Sequence, residues 1–504
     1  MRKALFCIAA VLLLAACGGD SATGNAELVS TTVSVPSTTL PPGSSIVEDA
    51  KSLGWNECWD IAECFDLTVP LDYQDLDGQA INIAVVRVLA VEEPYLGPLV
   101  LNPGGPGGSG LDMVGEMADL WSMIFPQFDV VGFDPRGVGA SSAVLCPTDF
   151  DEDEKLAFGR GEDSSTLFVD QLDHVKQCQE FSGDLLLHVG TNNAARDMDE
   201  MRVALGAEQI TYLGYSYGTR LGAVYAALFP ERVRAMVLDG PLDPAEQVSE
   251  FSPVQGDGFE LAWRHFAADC QAATACALNE LGGPDAAFFA ADALLKEQNF
   301  AAGEGRELSR AEFEFGVAVA LYSPYTWPDL VNGLVEVLEE HQGGILQGLV
   351  DEMIGRQPDG SYDNSSAANL LINCADDSLR PTQEEIKEAS NLLADTLPHF
   401  GPIFRGMIGC FGVPAAVDPL LSLPADMAVP ALVIAMEGDP ATPMAWAEGL
   451  RDAIGDAVLI TTDGDGHGAF LSNSECVTEV VFAYLYLLEF PADGWSCEEP
   501  ALYG

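Results

Sequence analysis

The chain is short of cations. Its 504 residues include 22 Lys plus Arg, only six of them lysine, against 78 Asp plus Glu, for a formal net charge of −56. A surface this acidic repels phosphate backbones and anionic headgroups, which argues against nucleic acid as a partner. Metal-ligand spacings are missing as well. No C-x-x-C and no H-E-x-x-H occurs, so we expect no metal site and no cofactor. No apolar run reaches the ~20 residues that a membrane-spanning helix needs. Histidine is scarce, six in all, so any chemistry that needs an imidazole has few candidates. Disorder throughout is excluded, because 48% of residues are hydrophobic and can fill a core. At about 150 residues per domain, the length allows two to three domains.

The N-terminus reads as an address. Arg2 and Lys3 precede an apolar run from Ala4 to Leu14 followed by small residues, the pattern of an export signal. Leu14-Ala15-Ala16-Cys17 resembles a bacterial lipobox, in which the cysteine is lipidated and becomes the first residue. The alternative is a plain secretory signal with an incidental cysteine. Residues 1–16 are therefore read as the signal. Residues 17–45, rich in Ser, Thr and Pro, are read as a tether. This places the protein on the extracellular face of the cytoplasmic membrane, held only by lipid on Cys17, or in the medium. Of twelve cysteines, Cys7 leaves with the signal and ten remain besides Cys17. In sequence order they fall into neighbours, Cys58/Cys64, Cys146/Cys178, Cys270/Cys276, Cys374/Cys410 and Cys476/Cys497. An even number suits a disulfide-permissive compartment, although sequence order alone fixes no connectivity.

Short apolar runs at Ile81–Val88, Pro98–Asn102, Phe128–Phe133, Ile210–Gly214, Val233–Leu238, Pro430–Ala435 and Ala457–Ile460 read as strands. Helical patterns lie between them, which predicts an α/β fold with a buried, mostly parallel central sheet covered on both faces. From Pro241 to Pro424 the strand-like runs give way to helix-like stretches such as Asp257–Ala277 and Ala311–Leu321. Residues 46–240 and 425–504 are thus expected to form one core. Residues 241–424 form a helical cap between two late strands, over the edge where open α/β sheets bind ligands.

Gly214-Tyr215-Ser216-Tyr217-Gly218 is the one G-x-S-x-G, set between an expected strand and an expected helix. A turn that tight needs small flanking residues and pushes the serine hydroxyl clear of the backbone. The following helix N-terminus favours the negative charge that develops in acyl transfer. Upstream, Asn102-Pro103-Gly104-Gly105-Pro106-Gly107-Gly108-Ser109-Gly110 directly follows a strand. Glycines let backbone N–H groups approach a ligand, so Gly104 and Gly105, with Tyr217, are the expected oxyanion donors. A nucleotide-phosphate loop would call for a G-K-[ST] ending, which the segment lacks. His467 stands in a glycine-rich turn just after a strand and is the expected general base. The orienting acid should fall between serine and histidine in chain order. Asp439 fits best, and Asp239, at an earlier strand end, is its rival.

These segments, together with Asp134-Pro135-Arg136-Gly137-Val138-Gly139, Val69-Pro70-Leu71-Asp72-Tyr73, Gly438-Asp439-Pro440 and Gly466-His467-Gly468, resemble the secreted actinobacterial tripeptidyl aminopeptidases. These belong with the prolyl aminopeptidase-like α/β hydrolases. The likeness runs from about Trp55 to Cys497. It implies an α/β-hydrolase fold, Ser216, Asp439 and His467 as a triad, and a substrate-selecting cap. Two activities share such a site, an exopeptidase releasing tripeptides from free N-termini and a carboxylesterase. An exopeptidase requires a carboxylate for the substrate ammonium, and Asp376 and Asp377 are the candidates. From another class, a lipid-anchored solute-binding protein would share the signal, tether and acidity but would not require the ordered Ser, Asp and His turns. The expected partners are peptide substrates; the oligomeric state is not legible.

Overall fold

The computed structural model describes residues 54–146, 164–401, 403, 409–424, 427–471 and 474–499. The expected signal, the tether and Cys17 lie outside them. Ten strands share one sheet: β1 (Asn56–Trp59), β2 (Ala62–Pro70), β3 (Ala80–Val88), β4 (Pro98–Asn102), β5 (Asp129–Phe133), β6 (Ile210–Tyr215), β7 (Val233–Asp239) and, after a hairpin of β8 (Phe300–Gly303) and β9 (Arg306–Leu308), β10 (Ala431–Gly438), β11 (Ala457–Asp465) and β12 (Trp495–Cys497). Their spatial order is β1-β2-β3-β5-β4-β6-β7-β10-β11-β12. The pairings β1/β2, β2/β3 and β3/β5 are antiparallel, and all others in the sheet are parallel.

The sequence dictates this split. Every residue of β4 is buried, as a parallel strand covered on both faces requires. The antiparallel β2 instead mixes buried Phe65 and Val69 with exposed Asp66 and Thr68. Adjacent residues of a strand point to opposite faces. Val100, Tyr212, Met236 and Val433 accordingly pack under the helices Thr191–Ala204, Tyr217–Leu228 and Met444–Ile454. Leu101, Leu213, Val237 and Ile434 pack against Gly110–Glu116, Ala118–Ile124 and Glu475–Leu487.

Between β7 and β10 a separate aromatic core gathers Trp263, Phe266, Phe288, Phe313, Trp327 and Phe400 from the helices Val248–Ala272, Pro284–Glu297, Arg310–Ala320 and the chain around them. The β8–β9 hairpin was not expected there. Its strands have four and three residues, too few to show a period, and its turn uses positive φ at Gly303, Glu304 and Gly305. The helix Ser365–Asp376 departs from the rest of this segment. Its Ala368, Leu371, Ile372 and Ala375 join the sheet-face core rather than the aromatic one.

All five neighbouring cysteine pairs are disulfides: Cys58–Cys64, Cys146–Cys178, Cys270–Cys276, Cys374–Cys410 and Cys476–Cys497. The longest closure, 36 residues from Cys374 to Cys410, is worth roughly 4 kcal/mol in a chain-entropy account. Among the described residues no helix is long and apolar enough to cross a membrane.

Candidate active site

The parallel strands end on one edge of the sheet, and the expected site residues collect there. Ser216 sits between the last residue of β6 and the first of the helix Tyr217–Leu228. Its φ of 54° and ψ of −123° put a non-glycine residue in a region that costs on the order of 1–3 kcal/mol. Neighbouring bonds hold it there. Its N–H donates to the Asp239 carbonyl at 2.9 Å, and its own carbonyl accepts from the Thr219 N–H at 2.9 Å and the Thr219 hydroxyl at 2.6 Å. A Cβ on Gly214 would lie 2.5 Å from the Gly218 carbonyl oxygen, so the turn closes only around glycine.

His467 follows β11. Its Nδ1 lies 3.0 and 2.9 Å from Oδ1 and Oδ2 of Asp439, which follows β10 and is 1% exposed. The carboxylate is saturated by its own turn. Oδ1 accepts from the N–H groups of Ala441 and Thr442, both at 2.8 Å, and Oδ2 accepts from the Thr442 hydroxyl at 2.8 Å. Burial lowers the pKa of His467, but the charge and hydrogen bond of Asp439, with the charge of Asp239 behind them, outweigh it and leave the imidazole above its ordinary 6.5.

Asp239, the rival acid, makes no hydrogen bond to the imidazole among those described. Its carboxylate accepts from the Ala469 N–H at 3.1 and 2.9 Å and from the Phe470 N–H at 2.8 Å. Burial pushes it up to about 6. Through its carbonyl and its carboxylate, this one residue ties the serine turn to the histidine loop. Sequence order gave no sign of that role, nor of Thr442.

The helical segment reaches the same loops. The His467 N–H donates to the Tyr322 carbonyl at 2.8 Å, with the Tyr322 ring edge-on to the imidazole at 5.5 Å. Gln255 Nε2 donates to the Ala441 carbonyl at 2.9 Å, and His265 Nδ1 lies 2.6 Å from Asp465 Oδ1.

The glycine loop lies against the serine turn. A Cβ on Gly104, whose φ is +89°, would sit 2.3 Å from the Tyr215 carbonyl oxygen, 3.0 Å from Ser216 Cβ and 3.2 Å from the Tyr217 nitrogen. The Gly104 N–H, however, donates to Asn102 Oδ1 at 3.0 Å. Gly104 therefore supplies close approach, with its own N–H already engaged by Asn102. Tyr217 opens its helix, so its N–H has no carbonyl four residues back.

Asp376 and Asp377 stand differently from expectation. Each is 2% exposed. Asp376 Oδ1 accepts from the Thr191 N–H at 2.7 Å and Oδ2 from the Thr191 hydroxyl at 2.5 Å, while Asp377 Oδ1 accepts from the Leu379 N–H at 2.6 Å. Burial lifts Asp376 to about 6 against the opposing effects of Arg220 and Thr191. Both carboxylates are buried and accept from the chain's own donors, Asp376 through both oxygens and Asp377 through Oδ1. One Cys/His group has metal-ligand proximity among the described residues, Cys146, His174 and Cys178, but its two sulfurs are joined as a disulfide.

Residues 97–280 match the α/β hydrolase fold family, and residues 402–497 match the family of TAP-like proteins. Serine protease Hip1 of Mycobacterium tuberculosis is 35% identical over 464 residues, covering 86% of this chain and 87% of that protein. Carboxylesterase B of the same species is 36% identical over 484 residues, covering 90% and 91%. The tripeptidyl aminopeptidase of Streptomyces lividans is 30% identical over 463 residues, covering 86% and 84%.

Proposed function

This chain belongs to the α/β-hydrolase family, among the tripeptidyl aminopeptidase-like serine hydrolases, and from that premise we propose that Ser216, His467 and Asp439 form its triad and release tripeptides from free N-termini. The observation that carries the reading is the His467–Asp439 pair at 2.9 Å, on the sheet edge that holds the strained serine turn. His467 Nε2 takes the Ser216 proton as Oγ attacks the substrate carbonyl. Asp439 keeps the remaining imidazole proton on Nδ1 and stabilises the cation that forms. The N–H groups of Gly105 and Tyr217 receive the oxyanion, each worth about 3–4 kcal/mol of barrier. The imidazolium returns its proton to the leaving amine, and water cleaves the acyl-enzyme by the same route in reverse.

Support for an exopeptidase comes from the helical segment that touches the loops of His467 and Asp439 and would restrict access to a chain end, and from the relatives named as peptidases. The relative named Carboxylesterase B is equally similar and supports a second reading, ester hydrolysis at the same triad. We also propose that Cys17 carries lipid and holds the enzyme outside the cytoplasmic membrane, in keeping with its five disulfides.

A serine-reactive fluorophosphonate tests the nucleophile: Ser216→Ala should fold and fail to label, and full labelling of that variant would reject the assignment. Substrate class follows from a panel of tripeptide amides, free or N-acetylated, beside simple esters. Acetylation should lower kcat/KM by ~100-fold or more if the ammonium is recognised. Equal turnover of both peptides would reject the aminopeptidase reading, and ester cleavage without peptide turnover would establish the esterase.

A further inference from the structure

The helix Ser365–Asp376 touches both sides of the oxyanion position. At its N-terminal end Asn369 Nδ2 donates to the Pro106 carbonyl at 3.1 Å. A Cβ on Gly107 would lie 2.4 Å from the Ser365 carbonyl oxygen and 3.3 Å from the Asn369 nitrogen. Just before the helix, Asn364 accepts from the Gly139 N–H at 3.0 Å and donates to the carbonyls of Gly137 and Val144. The glycine loop is thus pressed against the helix backbone and bonded to it one residue past Gly105.

At the other end a buried relay leads to Tyr217. The Tyr217 hydroxyl is 2.5 Å from Thr191 Oγ1, which is 2.5 Å from Asp376 Oδ2. Exposure is 2% at Tyr217, 0% at Thr191 and 2% at Asp376. Proton accounting gives the relay a direction. An ionised carboxylate only accepts, so the single Thr191 hydroxyl proton goes to Asp376, and the Tyr217 O–H must donate to Thr191. Asp376 is itself pinned. Its carbonyl accepts from the Leu420 N–H at 2.9 Å, and the Cys374–Cys410 disulfide lies two residues before it.

We propose that this helix is a brace for the oxyanion hole, positioning the Gly105 N–H through Asn369 and the Tyr217 N–H through the Asp376–Thr191–Tyr217 relay. The inference rests on the reading of Ser216 as nucleophile, and it gives Asp376 a positioning role in place of the ammonium contact expected from sequence. Its physical ground is that oxyanion donors act by being fixed before charge develops. The Tyr217 side chain is stiff, so holding its hydroxyl holds the backbone at its other end. Pro106 has no N–H of its own, and its carbonyl is the point at which this loop is bonded to the helix.

The test compares Tyr217→Phe, Thr191→Val, Thr191→Ser and Asn369→Ala with the wild-type full chain. The readouts are kcat, KM and the affinity of a peptidyl aldehyde, which forms a tetrahedral adduct with the serine and places an oxygen in the hole. Tyr217→Phe, Thr191→Val and Asn369→Ala should each lower kcat ~10-fold or more, weaken the aldehyde by a similar factor and leave KM within about twofold, a fraction of the ~100–1,000-fold that follows complete loss of one donor. Thr191→Ser keeps the hydroxyl and should retain most of the activity. Tyr217→Phe removes a single oxygen and decides the matter if the others fold poorly. Unchanged kcat and aldehyde affinity in Tyr217→Phe and Asn369→Ala, with labelling still abolished in Ser216→Ala, would overturn the brace alone. Losses confined to KM or to the melting temperature would overturn it too. Labelling that persists in Ser216→Ala would overturn both the brace and the triad.

Discussion

Asp439→Asn is the perturbation whose size the structure fixes best. The substituted amide carries one oxygen and one nitrogen where Asp439 carries two acceptors. The Oδ1 position receives two backbone N–H groups, from Ala441 and Thr442, and neither can turn away without moving the loop. An NH2 group there would face two donors, an arrangement that strands buried polar groups at ~1–3 kcal/mol each. The amide nitrogen is therefore driven to the Oδ2 side, where the Thr442 hydroxyl can rotate to accept from it. That side also faces His467 Nδ1, 2.9 Å away. An N–H donated to Nδ1 forces the imidazole proton onto Nε2, the atom that must receive the serine proton. The wrong tautomer is then the stable one, and kcat should fall by about 10⁴, or ~5.5 kcal/mol of barrier. The assay is steady-state hydrolysis of an activated ester, with the fluorophosphonate labelling rate alongside and a melting curve to show that the variant folds. A folded variant within tenfold of wild-type kcat would refute the reasoning, because it would mean that Asp439 does not set the tautomer.

Three further outcomes follow from the same geometry. Catalysis needs a neutral His467, whose pKa is held above 6.5 by Asp439 against burial, so kcat/KM should rise with pH through a midpoint above that value; a midpoint at or below 6.5 would contradict it. Asp239 and Asp376 are both raised by burial from 3.8 to about 6, so the folded chain binds their protons more tightly than the unfolded chain. Stability should accordingly fall as pH rises from about 4 to about 6, by ~3 kcal/mol for each group, and level off above. Melting curves of Asp239→Asn should show a shallower fall across that window, and slopes identical to wild type would count against the assignment. Cys17→Ser should move the protein from the membrane fraction to the medium, and unchanged membrane retention would show that something other than lipid at that position holds it.

The parallel half of the fold was legible because burial on both faces leaves unbroken apolar runs. Pro98–Asn102 was read with the same bounds that β4 has, and the runs at Ile210, Val233 and Ala457 differ from β6, β7 and β11 only at their C-terminal ends. The antiparallel β3 was legible too, as the run Ile81–Val88, but the outer strands β1 and β2 were not. In β2, Asp66 and Thr68 interrupt the apolar residues on a side that is exposed there, and Glu63 interrupts them on the other, paired with Arg87. Ser216, Asp439 and His467 could be picked out because each lies in a turn straight after a strand, a feature local to a few residues. The contacts of Asp239 and Asp376 could not, because each role depends on a partner far along the chain. Asp376 meets Thr191 across 185 residues, and Asp239 meets Ala469 across 230. A carboxylate near a cysteine in a chain with 78 acids carries no mark of which donors will surround it.

The bond from the His467 N–H to the Tyr322 carbonyl bears on how such an enzyme can diversify. Were the segment above the site a detachable cassette, one version could be exchanged for another and only the choice of substrate would change. Here the exchanged piece would have to present a backbone oxygen at the same spot, or the histidine loop would lose a fixed point. Because the acceptor belongs to the main chain, replacing the side chain at position 322 leaves it in place, whereas inserting or deleting a residue between Leu321 and Pro324 displaces it. Side-chain changes along that stretch leave this acceptor in place; a change in its length does not.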